Sequence, residues 1–206
     1  MSLLFALAGP PGCGKGTILD CVIRPYCVAH SIPLIVFPVS AELQAYLDEQ
    51  ENNKAAHIRE MQKAGYLLPD DIANMALARA VEKNKGSAEK TVYVIDGAPR
   101  TTGQIETSLI KVAETLSIPR NRRRVIRFTT RAHLCGFRAR GRGREDDTEE
   151  SFQVRWSEFE SKTRPALQFI EHQQESLGVR LMEVDGAGIR KSPELFKSVL
   201  FGGTDL

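Results

Sequence analysis

Short apolar runs of strand length alternate along the chain with longer stretches whose apolar positions fall three or four residues apart. Leu3-Leu4-Phe5-Ala6-Leu7-Ala8, Ile32-Pro33-Leu34-Ile35-Val36-Phe37, Thr91-Val92-Tyr93-Val94-Ile95, Arg124-Val125-Ile126-Arg127-Phe128 and Val179-Arg180-Leu181-Met182-Glu183-Val184 read as five strands. The spacing of Ile18, Leu19, Val22 and Ile23 predicts a first helix over about 14–29, and Pro38 closes the second strand. Residues 40–64 are polar and helix-forming but broken near Asn52-Asn53, which predicts two short helices protruding from the core. Pro69, Asp70 and Asp71 mark the start of a helix with Ile72, Met75, Ala76 and Ala80 on its apolar face. Lys85-Gly86-Ser87 reads as a linker. Further helices are expected over 101–116, from Arg131 until the Arg-Gly repeats beginning at Arg138, over 147–175, and over 193–200. Asp147 followed by Glu150 predicts the capped start of the long one.

Strands alternating with helices in this way predict one α/β domain across 1–206, with a doubly wound, five-stranded parallel sheet. Such a sheet binds its ligand at the carboxyl ends of the strands, which is where the segment 9–17, Asp96 and Asp185 would meet.

Composition narrows the class. A length of 206 residues, 42% hydrophobic and 26% charged, describes a globular chain with room for a core. The net charge of +2 excludes a bulk polyanion binder, yet ten arginines and no acid lie between Arg120 and Arg144. That local charge suits a phosphate-rich ligand or nucleic acid. Only Phe128 and Phe137 interleave it, few for a single-strand stacking platform, so nucleic acid is the weaker expectation. The four cysteines show neither C-x-x-C nor zinc-finger spacing and read as reduced, packed thiols of a cytoplasmic protein. The first eight residues lack a charged n-region and a cleavage site, and no run reaches membrane-spanning length.

The chemistry begins at Gly9-Pro10-Pro11-Gly12-Cys13-Gly14-Lys15-Gly16-Thr17, a glycine-rich turn between an apolar strand and a helix start. Glycines let several backbone N–H groups converge on one anion, and the helix N-terminus adds its free donors and dipole. Lys15 supplies a mobile positive charge for the β- and γ-phosphates. Gly16, not Ser or Thr, follows the lysine, and Thr17 comes one place later.

Three further segments follow in a telling order: Gly65-Tyr66-Leu67-Leu68-Pro69-Asp70, Asp96-Gly97-Ala98-Pro99-Arg100-Thr101 and Gly143-Arg144-Glu145-Asp146-Asp147-Thr148. With the G-K-G-T loop and Val184-Asp185-Gly186, the set resembles the nucleoside monophosphate kinases over nearly the whole chain, adenylate kinase in its short-lid form above all. The resemblance implies a P-loop three-layer fold, a small helical acceptor-binding insertion at 39–68 and a short lid at 138–147. It implies reversible transfer of the γ-phosphoryl of ATP to a nucleoside monophosphate, AMP favoured, by a monomer using Mg²⁺. Catalysis would fall to Lys15, Arg138, Arg144 and Arg155. ATP would meet Gly12, Cys13, Gly14, Lys15, Gly16, Thr17, Arg138 and Gly188. The monophosphate would meet Ser40, Lys54, Leu68, Arg100, Gln104, Arg144 and Arg155. Thr17 would lie beside Mg²⁺ and Asp96 would hold it through water. Asp146 and Asp147 would hold the lid arginines in place.

Structural alternatives stand beside these roles. Asp96 is a common turn residue before glycine, Arg100 can cap a helix, Gln104 can be an exposed helical residue, and Arg155 can pair with Glu158. The acceptor signature of the family is also eroded. Ala45 or Tyr46 falls where its arginine belongs, Lys54 stands for a second arginine, and Leu134 for the residue that stacks on adenine. Ala98 replaces a bulkier residue. An ATP-binding regulatory protein without transfer, or a kinase directed at UMP or CMP (Ser40-Ala41 being similar to that variant), are the alternatives.

Overall fold

The computed structural model describes residues 2–50, 53–84, 90–141, 143 and 147–202. Five parallel strands, β1 (Leu3–Ala8), β2 (Leu34–Pro38), β3 (Val92–Asp96), β4 (Arg123–Phe128) and β5 (Arg180–Val184), lie in the order β2-β3-β1-β4-β5. The five-stranded parallel sheet read from the sequence is therefore the observed one. The chain leaves β1 toward β2 on one side and leaves β3 toward β4 on the other, so a crevice opens between the ends of β3 and β1.

β1 is central and all six of its residues are buried, as expected of a strand covered on both faces. Its residues alternate between two cores. Leu3, Phe5 and Leu7 pack with Ile18, Val22, Ile126 and Leu200; Leu4, Ala6 and Ala8 pack with Leu43, Leu77, Leu109 and Ile170. The first core is closed by helices α1 (15–29), α6 (Ala132–Arg140) and α9 (Pro193–Phe201). The second is closed by α2 (Val39–Asp48), α3 (Asn53–Ala64), α4 (Asp70–Asn84), α5 (102–115) and the later part of α7 (149–172), which a short α8 (Gln174–Leu177) follows.

The pair at 39–64 is less detached than its polar composition predicts, because Leu43, Leu47, Ala55 and Ile58 are all buried. Charges fasten it too: Arg79 on α4 reaches Glu42 at 3.0 Å and Glu49 at 2.8 Å, and Lys83 reaches Glu42 at 2.6 Å.

Among the described residues three helices widen into π turns, Leu19–Ile23, Glu106–Lys111 and Phe159–Thr163, and the first and last lie directly before an Arg-Pro pair (Arg24-Pro25 and Arg164-Pro165). A proline ring collides with the carbonyl four residues back, and widening the preceding turn accommodates it without ending the helix. The start of α7 corrects the sequence reading. Its cap is Thr148, whose hydroxyl accepts from the Ser151 N–H at 3.1 Å, and Asp147 is released for other work.

The linker at 85–87, Arg142, Arg144 and Asp146 fall outside the described residues.

Candidate active site

The glycine-rich turn leaves the end of β1 and is locked by backbone. Gly12 and Gly14 take positive φ values of 74° and 113°, a region that glycine enters without strain. Gly12 lies so near the carbonyl of Cys135 that a Cβ there would stand 2.1 Å from its oxygen. Gly186, in the loop after β5, is held as closely: a Cβ would come within 1.8 Å of the Cys13 oxygen. Thr130, after β4, donates to that same oxygen at 2.8 Å. The turn is thus gripped by the loops that leave both strands on its β4 side.

Within it, the Lys15 ammonium donates to the carbonyls of Gly9 at 2.9 Å and Pro10 at 3.1 Å, and touches Cys13 Sγ at 3.6 Å. Arg138 Nη1 donates to Gly186 O at 3.1 Å. Cys135, beneath the turn, has its thiol pushed up to about 12, first by burial and then by neighbouring Cys13; Lys15 and Arg138 pull the other way. Lys15, Arg138 and Asp185 therefore all lie within electrostatic reach of one buried thiol. Gly16 faces open space, Thr17 is half-buried in the first turn of α1, and Gly188 packs near Phe196.

Across the crevice, Asp96 ends β3 in register with Leu7 of β1 and with Pro38 of β2. Arg100 follows on a turn in which its Nε donates to Gly97 O at 2.8 Å. Its terminal nitrogens make no hydrogen bond among the described residues. Burial lowers the pKa of Arg100; Asp96 opposes that shift and Arg155 adds to it. Arg100 thus lies within range of a second guanidinium and of one carboxylate, an arrangement that an incoming polyanion relieves. Arg155 is held at 2.9 Å by Asp147, whose side chain is only 1% exposed. It does not pair with Glu158, which accepts instead from the Leu67 N–H at 3.0 Å and from Lys162 at 2.6 Å.

Gln104 departs from the reading of an exposed helical residue. It is not exposed: at 2% exposure its Nε2 donates to Asp70 Oδ1 at 2.9 Å and its Oε1 accepts from the Arg100 N–H at 2.8 Å. Asp70 went unrecognised as more than a helix-start acid, because its partners lie some thirty residues away, with nothing local to signal them.

Ser40 is exposed in the first turn of α2, beside the end of β2. Lys54 is exposed on α3 and edges a small recess of about 30 Å³ with Tyr46 and Ile72, while Leu68 is half-buried against the second core. Tyr46 lies under Arg79, whose guanidinium carbon is 5.2 Å from the ring centre. A wider pocket of about 410 Å³, lined by Tyr26, His30, Lys197 and Phe201, lies between the end of α1 and α9.

Much of the arginine run is engaged internally. Arg123 donates to Ile118 O, Arg124 to Leu200 O, Arg127 pairs with Glu171 and Glu183, and Arg140 with Glu149.

Residues 8–153, from the turn through the first part of α7, match the family model described as AAA domain. The chain belongs to this P-loop family. Relatives named adenylate kinase place it further. That of Encephalitozoon cuniculi is 28% identical over 165 residues, covering 80% of this chain and 81% of its own length. That of a Cyanothece strain is 28% identical, covering 87% and 85%. One from Clostridium perfringens is 26% identical over 97% of this chain and 96% of its own. The enzyme is an adenylate-kinase-like phosphotransferase. Among its described residues no helix is long and apolar enough to cross a membrane.

Proposed function

We propose that the enzyme transfers the γ-phosphoryl of ATP reversibly to a nucleoside monophosphate, with AMP the preferred acceptor. One observation carries the reading: Arg100, sunk beside Asp96 with its terminal nitrogens uncommitted, stands within electrostatic range of Arg155 at the strand end next to the phosphate turn. AMP is preferred because the relatives over most of the chain carry the name adenylate kinase.

The reaction asks the protein for alignment and charge rather than covalent help. Backbone N–H groups of 12–17 hold the donor phosphates, and Lys15 leaves its carbonyls to follow the β- and γ-oxygens. Arg100 grips the acceptor phosphate by two parallel bonds, which guanidinium suits better than ammonium. Arg155 turns from Asp147 toward the transferred group, joined by Arg138 and by Arg144 of the 138–147 lid. Closure of that lid excludes water and limits loss of ATP to hydrolysis.

The oxygen donors present fit a magnesium ion brought by the nucleotide: Thr17 stands half-buried in the first turn of α1 and Asp96 ends β3 beside β1. Thr17 would hold it directly and Asp96 through water, and when bound it would supply positive charge to the nucleotide phosphates.

A second reading is favoured by the acceptor insertion. Arg79 is committed to Glu42 and Glu49, and Arg59 donates to Leu47 O beside Asp48, so these cations serve the fold rather than a phosphate. An ATP-binding protein without transfer would tolerate that. A coupled assay of ATP and Mg²⁺ with AMP, CMP, UMP and GMP decides between them. ADP formation fastest with AMP is expected; fastest transfer to CMP or UMP would reassign the acceptor; tight ATP binding without ADP from any acceptor would leave only the second reading.

A further inference from the structure

β4 and β5 carry two charged register pairs that follow opposite rules. Toward their carboxyl ends Arg127 stands beside Glu183, and the two form an ion pair. At their amino ends Arg124 stands beside Arg180, like charge against like, which costs stability unless something answers it. With period two, Arg124 shares the face of Ile126 and Arg180 that of Met182, both turned to the core under α9. Arg124 is only 5% exposed. Its Nη1 donates to Leu200 O near the end of α9, while its Nε is buried with no hydrogen-bond partner among the described residues. Burial first, then the charges of Arg180 and Arg122, lower its pKa, and among the described residues no carboxylate opposes them. Arg123, by contrast, has Glu114 on its side, and Arg127 has Glu171 and Glu183. A guanidinium keeps its proton at neutral pH, so only a negative charge can relieve this repulsion. Capping α9 accounts for one nitrogen of Arg124 but not for the two arginines gathered beside it.

We infer that Arg122, Arg124 and Arg180 form a second anion site, at the amino edge of the sheet, which takes a phosphoryl group as the inorganic ion or as the end of a small phosphate ester. The site lies about one strand's length, roughly 17–20 Å, from the phosphate turn at the opposite edge. Arg180 is exposed and Arg122 half-buried, so the anion enters past Arg180 and meets Arg124 behind it. A doubly charged tetrahedral anion answers three guanidiniums better than a single carboxylate does, and its oxygens can be gripped in pairs. A nucleic-acid strand needs a track of exposed cations, whereas Arg124 is buried and Arg122 partly so.

The test titrates the full chain with inorganic phosphate while a non-hydrolysable ATP analogue and AMP fill the crevice at the other edge, reading heat and melting temperature. The parent is expected to bind phosphate and to melt at a higher temperature as phosphate is added, by mass action. Arg180→Ala should weaken that binding by about tenfold or more, the worth of a charge-assisted pair of bonds, with affinity for the ATP analogue held within about twofold. Arg180→Glu supplies the missing carboxylate, so it should melt above the parent in phosphate-free buffer and gain nothing when phosphate is added. Arg124→Leu should also abolish binding; should it fail to fold, the two Arg180 variants carry the test. Glycerol phosphate binding as well as phosphate would mark a phosphoryl-group subsite, and binding of the inorganic ion alone would mark the free ion; either supports the inference. Unchanged phosphate affinity in Arg180→Ala, an equal effect of chloride or acetate at matched ionic strength, or an Arg180→Glu variant that still gains from phosphate would each overturn it. So would a gain in phosphate affinity of about tenfold on Asp205→Asn, which would make that carboxylate the resident partner of the arginines.

Discussion

The two sides of the crevice are built from different materials. On the donor side the phosphate turn is gripped through backbone: the Thr130 hydroxyl on Cys13 O, Gly12 against the Cys135 carbonyl, Gly186 against Cys13 O. On the acceptor side Arg100 and Arg155 are steered by side chains, through Gln104 to Asp70 and directly to Asp147. A polyphosphate presents the same oxygens whatever base it carries, and backbone N–H groups suffice to read it. An acceptor that differs from one kinase to the next is better met by side chains, which can be exchanged without rebuilding the fold. The difference teaches that the first side is sensitive to an added atom at Gly12 and Gly186, and the second to the shape of its guanidinium groups.

The harshest way to break this contrast is Gly186→Ala. A methyl group 1.8 Å from the Cys13 oxygen can be housed only by moving backbone. Overpacking of this kind costs on the order of 3 kcal/mol. Calorimetry should show a lower melting temperature together with much weaker ATP binding; a variant that melts and binds like the parent would mean that the turn is not gripped at all. Arg100→Lys is the acceptor-side counterpart. It keeps the charge and loses the paired bonds, so the acceptor Michaelis constant should rise by about ten- to a hundredfold, roughly 1.5–3 kcal/mol. ATP affinity, measured by titration without acceptor, should hold, and a parallel loss would dissolve the division between the sides. The smallest effect belongs to the clasp between α2 and α4. Lys83 and Arg79 hold the Glu42 carboxyl below its ordinary value of 4.5. A depressed carboxylate stabilises the fold above that ordinary value, and the contribution is lost as pH falls through the depressed one. Glu42→Gln should therefore lower the unfolding free energy from urea titration slightly at pH 7, by no more than about 1 kcal/mol, and the gap from the parent should close in acid.

How much of this could be read from the chain follows from where each signal lies. The sheet was legible because each strand is a contiguous apolar run, and the phosphate turn because its glycines and lysine are neighbours in sequence. The start of α7 was nearly so: Asp147 and Thr148 are both good caps, and the bond from the Ser151 N–H to the Thr148 hydroxyl, with Asp147 turned to Arg155, assigns the cap to Thr148. The Asp70 network was out of reach, since its members come from three elements and each alone is an ordinary polar residue. Two of the π turns left a local trace in their Arg-Pro pairs, readable once the collision with the preceding carbonyl is considered, whereas the one at Glu106–Lys111 has no such pair. The insertion at 39–64 misled for a further reason: a few buried side chains suffice to seat two short helices, and composition averages them away.

Lys15 rests on two carbonyl oxygens and a sulfur of its own turn. A single small anion, making few bonds of its own, gains little by prising that ammonium loose, whereas a nucleotide tail with many oxygens repays the exchange. The enzyme can thus stand vacant among the abundant free phosphate of a living cell and still admit the nucleotide it is built to engage.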